Sequence, residues 1–202
     1  MSTQEKSSVV PFWKRLLFSD FLLETSYAKK IAYVSLLTAF TVIANTFFEY
    51  KFFAVQFSLT IVVSVLAGVF LGSLLGFCAC FLGDLIGFFL HPFGAYLPWI
   101  GISTGLMPVF GFLILCRLPL KGKAGLAIRL LLVNLAVFIV CTAGITALTL
   151  NLVWYPSLTY FEFLFTRLFV EGQIWNTLLN AALLCGFLPV LSKIKPLKIK
   201  IV

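Results

Sequence analysis

Six long apolar segments, with most of the charged residues lying outside them, limit the folds open to this chain. A helix satisfies its own backbone hydrogen bonds in lipid, so an apolar run of about 20 residues predicts a membrane-spanning helix. Hydrophobic residues make up 61% of the sequence and charged residues 11%, unlike the composition of a soluble domain. We predict an all-α integral membrane protein with six transmembrane helices, at 31–48, 57–71, 74–90, 97–115, 126–150 and 161–191.

The placement of lysine and arginine predicts the orientation, because cytoplasmic loops carry an excess of both. With six spans, the basic residues of the N-terminal segment, of the loop between the fourth and fifth spans and of the tail share one side, and the other side has only Lys51. We therefore expect both termini to be cytoplasmic. The net charge of +8 is explained by this topology and does not indicate nucleic-acid binding. The predicted organisation is a cytoplasmic amphipathic segment over 1–28, a six-helix membrane domain over 29–192 and a basic cytoplasmic tail over 193–202.

Asp84 is the most informative polar residue, because it lies in the middle of the third apolar segment. A carboxylate at membrane depth is costly and persists where it has a partner or faces a cavity. The sixth segment holds a second polar group of residues, namely Arg167, Glu171, Gln173 and Asn176. Their amides and charges could bind a ligand, or they could make hydrogen bonds and ion pairs between helices, including a pair between Arg167 and Asp84.

Several functions lack the residues they would need. The sequence has no phosphate-binding G-x-x-x-x-G-K-[ST] loop, no G-x-S-x-G motif and no H-E-x-x-H pair. The five cysteines lie in or beside apolar segments, form no C-x-x-C pair and are not grouped with the single histidine. We predict no enzymatic activity, no metal site and no bound cofactor.

Small residues form a stripe on the first span, where Ala32, Ser35 and Ala39 follow one another at spacings of three and four. Small side chains at such spacings let another helix approach the backbone closely. We expect this face to contact a partner. A similar series of glycines at 68, 72 and 76 is expected to serve packing within the chain.

Aromatic residues gather in the predicted outer loops, with Trp99 just inside the fourth span. The loop residues are Tyr50, His91, Tyr96, Trp154, Tyr155 and Tyr160. Flat rings suit stacking on a planar heterocycle. Tyrosine and tryptophan are also enriched at the headgroup level of any membrane protein, so an aromatic belt is the alternative.

Three segments of the sequence resemble the substrate-binding S components of energy-coupling factor (ECF) vitamin transporters. The run from Leu82 to Pro98, LGDLIGFFLHPFGAYLP, resembles their third span and outer loop, and the residues at 102–108 resemble the start of their fourth span. The residues at 29–39 resemble their first span, in which Ser35 would stand for the first alanine of an Ala-x-x-x-Ala motif. The preceding Phe18-Ser19-Asp20 and the motif set as a whole most resemble the folate subfamily.

This resemblance implies a vitamin-binding protein of the bacterial cell membrane that takes folate or a reduced pterin. It implies a transmembrane coupling subunit, docked on the face of Ala32, Ser35 and Ala39, and two cytoplasmic ATPase subunits that drive uptake. Together with the polar and aromatic residues above, it indicates a substrate site whose predicted members are Tyr50, Asp84, His91, Tyr96, Trp99, Arg167, Gln173 and Asn176.

Other functions stay open at this point. The chain could serve another small vitamin or precursor, such as pantothenate or a queuosine precursor. It could instead be a membrane scaffold that binds only protein, for which aromatic loops and buried amides would need no ligand. A small membrane enzyme is the third alternative.

Overall fold

The structure is a computed structural model that describes residues 11–46, 50–52, 55–92, 94–120 and 122–192. Of residues 50–52, 55, 56, 191 and 192 only the backbone is described. Within these ranges the chain forms α-helices, three π-helical segments and one β-hairpin. The helices are α1 Phe12–Leu17, α2 Asp20–Leu23, α3 Tyr27–Thr46, α4 Thr60–Leu71, α5 Ser73–Leu90, α6 Pro98–Phe112, α7 Gly122–Ala136, α8 Ala147–Trp154, α9 Tyr160–Phe165 and α10 Gln173–Ser192. The hairpin pairs β1 Tyr50–Phe52 with β2 Val55–Phe57, and the π-helical segments are Leu113–Arg117, Val137–Thr146 and Thr166–Val170.

Five helical stretches of the described chain are long and apolar enough to cross a membrane. They are Tyr27–Thr46, Ser73–Leu90, Pro98–Arg117, Gly122–Trp154 and Gln173–Val190. The prediction of a helical, multi-pass membrane protein is confirmed. The second predicted span, 57–71, corresponds to α4, which has only 12 residues and is not among these five stretches. The count of six spans and the side of the termini therefore stay predictions.

The short helix α4 is the centre of the core. Eight of its residues are buried, and Val65 and Val69 pack with Met107 of α6, Val133 of α7 and Leu184 of α10. Because protein surrounds α4 on several sides, its apolar character reflects burial within the bundle as much as contact with lipid. Glycine allows the closest approach, since a Cβ at position 68 would overlap the carbonyl group of Pro108 on α6.

The break between α4 and α5 occurs at Gly72, whose φ is +89°. This agrees with the predicted boundary between the second and third spans.

The last predicted span, 161–191, differs from the structure because the helix is interrupted at Gly172, whose φ is +72°. A left-handed residue ends a helix, and glycine adopts it without a steric penalty. Consequently α10 begins at Gln173, and its first turns carry the amides predicted for the site.

The two ends of the bundle differ in charge. One end, which we call the basic end, holds α1, α2, the start of α3, the turn at Gly72, the end of the π-helical segment at Arg117 and the start of α7 with Lys123. The other end holds the hairpin, the loop at 91–97 and the connection between α8 and α9. The outermost parts of the predicted N-terminal segment and basic tail, residues 1–10 and 193–202, lie outside the described residues.

Candidate functional site

A cavity of about 1010 Å³ lies among the helix ends opposite the basic end. Its walls come from the end of α3, the start of α4, the end of α5, the start of α6, the Val137–Thr146 segment with α8, and the region from α9 to the first turns of α10. Small-molecule sites in proteins commonly measure roughly 300–1,000 Å³. The space therefore suits a ligand of the size of a vitamin.

Asp84 of α5 is held in the cavity wall by donors from two neighbouring helices. Its Oδ1 accepts a hydrogen bond from Asn45 Nδ2 of α3 at 3.3 Å and one from Thr104 Oγ1 of α6 at 3.2 Å. Asn45 Oδ1 in turn accepts from Thr60 Oγ1 of α4 at 2.7 Å. These bonds offset part of the cost of a carboxylate at membrane depth. They also tie α3, α4, α5 and α6 together at one level.

A second set of amide hydrogen bonds joins α10 to the chain entering α4. Asn176 Oδ1 accepts from Ser58 N at 2.9 Å and from Asn180 Nδ2 at 3.0 Å. Asn180 Nδ2 also donates to Ser58 O at 2.7 Å, and its Oδ1 accepts from Val62 N at 3.2 Å. The Ser58 and Thr60 hydroxyls, 2.5 Å apart, connect this set to Asn45 and Asp84. Since the oxygen of Asn176 is engaged, its Nδ2 is the group it can offer to a ligand.

Aromatic rings line the part of the cavity wall formed by the end of α5, the loop after it and the α8–α9 region. Phe88 and Tyr96 pack with their ring centroids 5.1 Å apart, and Tyr155 stacks on Phe163 at 5.2 Å. The Tyr96 hydroxyl is buried with no hydrogen-bond partner among the described residues. Burial, and then the charge of Asp84, raises the pKa of Tyr96, so its phenol keeps its proton and can donate to a ligand. Trp154 covers the loop after α5, where a Cβ at Gly94 would lie 3.2 Å from its ring.

The wall between α7 and α8 is a π-helical segment of ten residues, Val137–Thr146. Such segments are rare and occur frequently at functional sites. Here hydroxyl groups bind its carbonyls: Ser103 Oγ donates to Cys141 O at 3.0 Å and Tyr160 OH donates to Ala143 O at 2.7 Å. Two of its side chains, Thr142 and Thr146, line the cavity.

The model of a protein family described as ECF-type riboflavin transporter, S component, matches residues 26–191 of this chain. The chain belongs to this family of S components. The predicted resemblance to the S components of ECF vitamin transporters is thereby confirmed. Membership of a transporter family also agrees with the prediction that the chain is not an enzyme.

Among solved structures, this S component is similar to the crystal structure of FolT bound with folic acid. The TM-score is 0.58 at 21% sequence identity, and the match covers 79% of this chain and 94% of that chain. At this identity the likeness shows a shared fold. No protein of curated function matches the chain in sequence.

Six of the eight predicted substrate-site residues line the cavity of this S component. They are Asp84, His91, Tyr96, Arg167, Gln173 and Asn176. Arg167 reaches it from the π-helical segment Thr166–Val170, and Gln173 from the first turn of α10 after the break at Gly172. Which of these residues contact a ligand stays a prediction.

The other two predicted residues stand differently. The side chain of Tyr50 lies outside the described residues. Trp99 does not reach the cavity, and 62% of its surface is exposed. The physical reason is its place on α6. Residues three and four apart share one face of a helix, and in this region the cavity-facing positions are Leu97, Ile100, Thr104 and Met107. Trp99 does not belong to that series, so it lies on another face of α6.

Sequence reasoning did not select several cavity residues. Asn45 is the most important of them, because it donates to Asp84. Like Asn176, it is an amide side chain within an apolar helix, and this feature could have marked it as a candidate. Trp154 and Tyr155 lay in a predicted outer loop but were not distinguished there from a membrane belt. Within the described residues no group of three His, Cys, Asp or Glu side chains could hold a metal ion, and all five cysteines are free.

Proposed function

We propose that this chain is the vitamin-binding S component of an ECF transporter and that its ligand is folate or a related reduced pterin. The observation that carries the proposal is the Asp84 carboxylate in the cavity wall, with the Asn176 and Gln173 amides in the same cavity.

The chemistry of the ring edge decides between the candidate vitamins. A pterin presents an amino group beside a ring N–H, two donors that a carboxylate accepts in a paired, charge-assisted arrangement. The isoalloxazine ring of riboflavin presents a single N–H flanked by two carbonyl oxygens, which a carboxylate repels. Asp84 therefore favours the pterin, and the amide Nδ2 of Asn176 suits its carbonyl oxygen.

The remaining cavity residues fit the rest of a folate molecule. Phe88 and Tyr96 offer aromatic surface to a planar ring. Arg167 offers a guanidinium to the carboxylates of a glutamate tail, which it can bind through two parallel hydrogen bonds. The similar FolT structure has folic acid bound, which supports the same choice.

Riboflavin is the second candidate, because the matched family model is described by that vitamin. The binding experiment therefore uses both ligands. Purified protein is titrated with folic acid and with riboflavin, and the titration is repeated with Asp84→Asn. Asparagine keeps the size of the side chain and an oxygen that accepts from Asn45 and Thr104.

We expect Asp84→Asn to weaken folic acid binding by about 10- to 100-fold, the equivalent of a lost charge-assisted hydrogen bond. Thermal unfolding without ligand checks that the variant is folded. Riboflavin that binds the wild type more tightly than folic acid, with an affinity that Asp84→Asn leaves unchanged or improves, would replace the pterin assignment.

The proposed partners are a transmembrane coupling subunit and two cytoplasmic ATPases, with the chain in the bacterial cell membrane and both termini cytoplasmic. Support comes from α3, on which Ala32, Ser35 and Ala39 are all exposed. The buried residues of α3 are Thr41 and Ala44 alone, both near its cavity end. The absence of a phosphate-binding loop from the sequence means that ATP hydrolysis would be done by the partners.

A further inference from the structure

The segment formed by α1 and α2 lies outside the family match, which begins at residue 26. It is nevertheless docked firmly on the basic end of the bundle. The guanidinium of Arg117 donates to the carbonyl oxygens of Arg15 and Phe18 and forms an ion pair with Asp20 at 3.4 Å. Arg117 is the last residue of the membrane-crossing stretch Pro98–Arg117.

A second group of contacts fixes the same segment to the turn between α4 and α5. Ser73 Oγ donates to Leu16 O at 2.8 Å, and Ser19 Oγ donates to Phe70 O. The backbone passes so close to Gly72 that a Cβ there would lie 2.6 Å from Ser19 N. Leu22 is buried against Leu71 and Ala79.

Docking through these backbone groups leaves the apolar side chains of α1 facing outward. Phe12 is 79% exposed, Trp13 56% and Leu16 40%, and Lys14 and Arg15 are exposed beside them. An amphipathic helix normally turns its apolar face to the protein core. We name the residues 12–16 the α1 surface.

The level of the α1 surface relative to the bilayer follows from its attachment points. Ser73 is the first residue of the membrane-crossing helix α5, and Arg117 ends another such stretch. Both ends must lie where the hydrocarbon gives way to headgroups. The start of α3 repeats the pattern there, because Tyr27 is 84% exposed and Lys30 Nζ lies 5.0 Å from its ring centroid, as Lys14 Nζ lies 5.3 Å from that of Trp13.

We propose that the α1 surface lies in the membrane interface and binds anionic lipid headgroups. Phe12, Trp13 and Leu16 would enter the boundary between headgroups and acyl chains, as the apolar faces of interfacial helices do. Lys14 and Arg15 would contact lipid phosphates, which attract cations near the surface. The segment then holds the α4–α5 turn and the end of α6 at the bilayer surface.

The test uses the full chain with Trp13 as its single tryptophan, obtained by replacing Trp99, Trp154 and Trp175 with Phe. The protein is reconstituted in phosphatidylcholine vesicles and in mixed phosphatidylcholine–phosphatidylglycerol vesicles. Quenching of Trp13 fluorescence is measured with brominated acyl chains from the lipid side and with acrylamide from the water side. The variant K14Q/R15Q is compared with K29Q/K123Q, which removes the same charge from other exposed positions at the basic end.

We expect brominated lipid to quench Trp13, more strongly with phosphatidylglycerol present. K14Q/R15Q should shift the balance from lipid toward water by roughly fivefold for each cation removed, and K29Q/K123Q should leave it unchanged. Three results would overturn the proposal. One is quenching by acrylamide alone, and another is equal lipid quenching in both vesicle types. The third is loss of lipid quenching when the coupling subunit is added, which would assign the α1 surface to a protein partner.

Discussion

Asn45 of α3 donates a hydrogen bond to Asp84 of α5, with 3.3 Å between Nδ2 and Oδ1. The same helix carries the exposed stripe of Ala32, Ser35 and Ala39 toward its other end. A single rigid helix therefore reaches both the cavity and the proposed docking face. A ligand that changes the surroundings of Asp84 would act on α3 through Asn45.

Asn45→Ala should destabilise the protein by about 1–3 kcal/mol, because it removes a donor from Asp84 and the acceptor of Thr60 Oγ1. It should also weaken ligand binding, since Asp84 loses its support. The matched control is Asn134→Ala on α7, whose amide donates locally to Leu130 O and whose buried Oδ1 has no partner among the described residues. Thermal unfolding in detergent measures both variants. Equal losses for the two would mean that the bond from Asn45 to Asp84 is unimportant.

Ser35→Trp or Ala39→Trp should abolish uptake in whole cells while the purified protein still binds its ligand. A bulky ring on this face would keep a partner helix at a distance. Phe40→Trp is the control, because Phe40 is a large residue of α3 that is already 49% exposed. If uptake survives both substitutions in the stripe, α3 does not dock the coupling subunit there.

Gly72→Ala should lower the free energy of unfolding by at least about 1–3 kcal/mol. The reason is that Gly72 has φ +89° and ψ −174°, a conformation that essentially only glycine adopts. The contact with Ser19 N adds a steric penalty. Gly122→Ala is the control, because Gly122 has φ +80° but no atom of the described residues within 4 Å of the added Cβ. It therefore shows the cost of backbone strain without steric overlap. Gly186→Ala in α10 should be neutral or slightly stabilising, because no atom of the described part of the chain lies within 4 Å of the added Cβ. A Gly72→Ala protein as stable as the Gly122→Ala protein would show that the N-terminal segment is not held against the turn.

The helical membrane fold could be predicted from the sequence, because a helix that crosses lipid needs a long run of apolar residues. The break at Gly72 was also visible, since glycines punctuate the apolar run there. The break at Gly172 was not predicted, because the polar residues on both sides of it, Glu171 and Gln173, were interpreted as members of one continuous span. What ends the helix is a backbone conformation that composition does not reveal.

The site was only partly predictable for a related reason. Asp84, Arg167, Gln173 and Asn176 stood out as polar residues in apolar segments, where each one demands an explanation. Thr142 and Thr146 did not, because their direction depends on a π-helical segment that a period of 3.6 residues does not describe. Trp99 was selected for its ring and its place near a loop, whereas its position on α6 turns it from the cavity.

Titration calorimetry of the purified wild-type protein with folic acid, riboflavin and pantothenate in parallel tests the central claim most directly. The account predicts that folic acid binds most tightly, with one molecule per chain, and that riboflavin competes poorly for the same site. Binding of riboflavin or pantothenate at least tenfold tighter than folic acid, or no binding of any of the three, would contradict it.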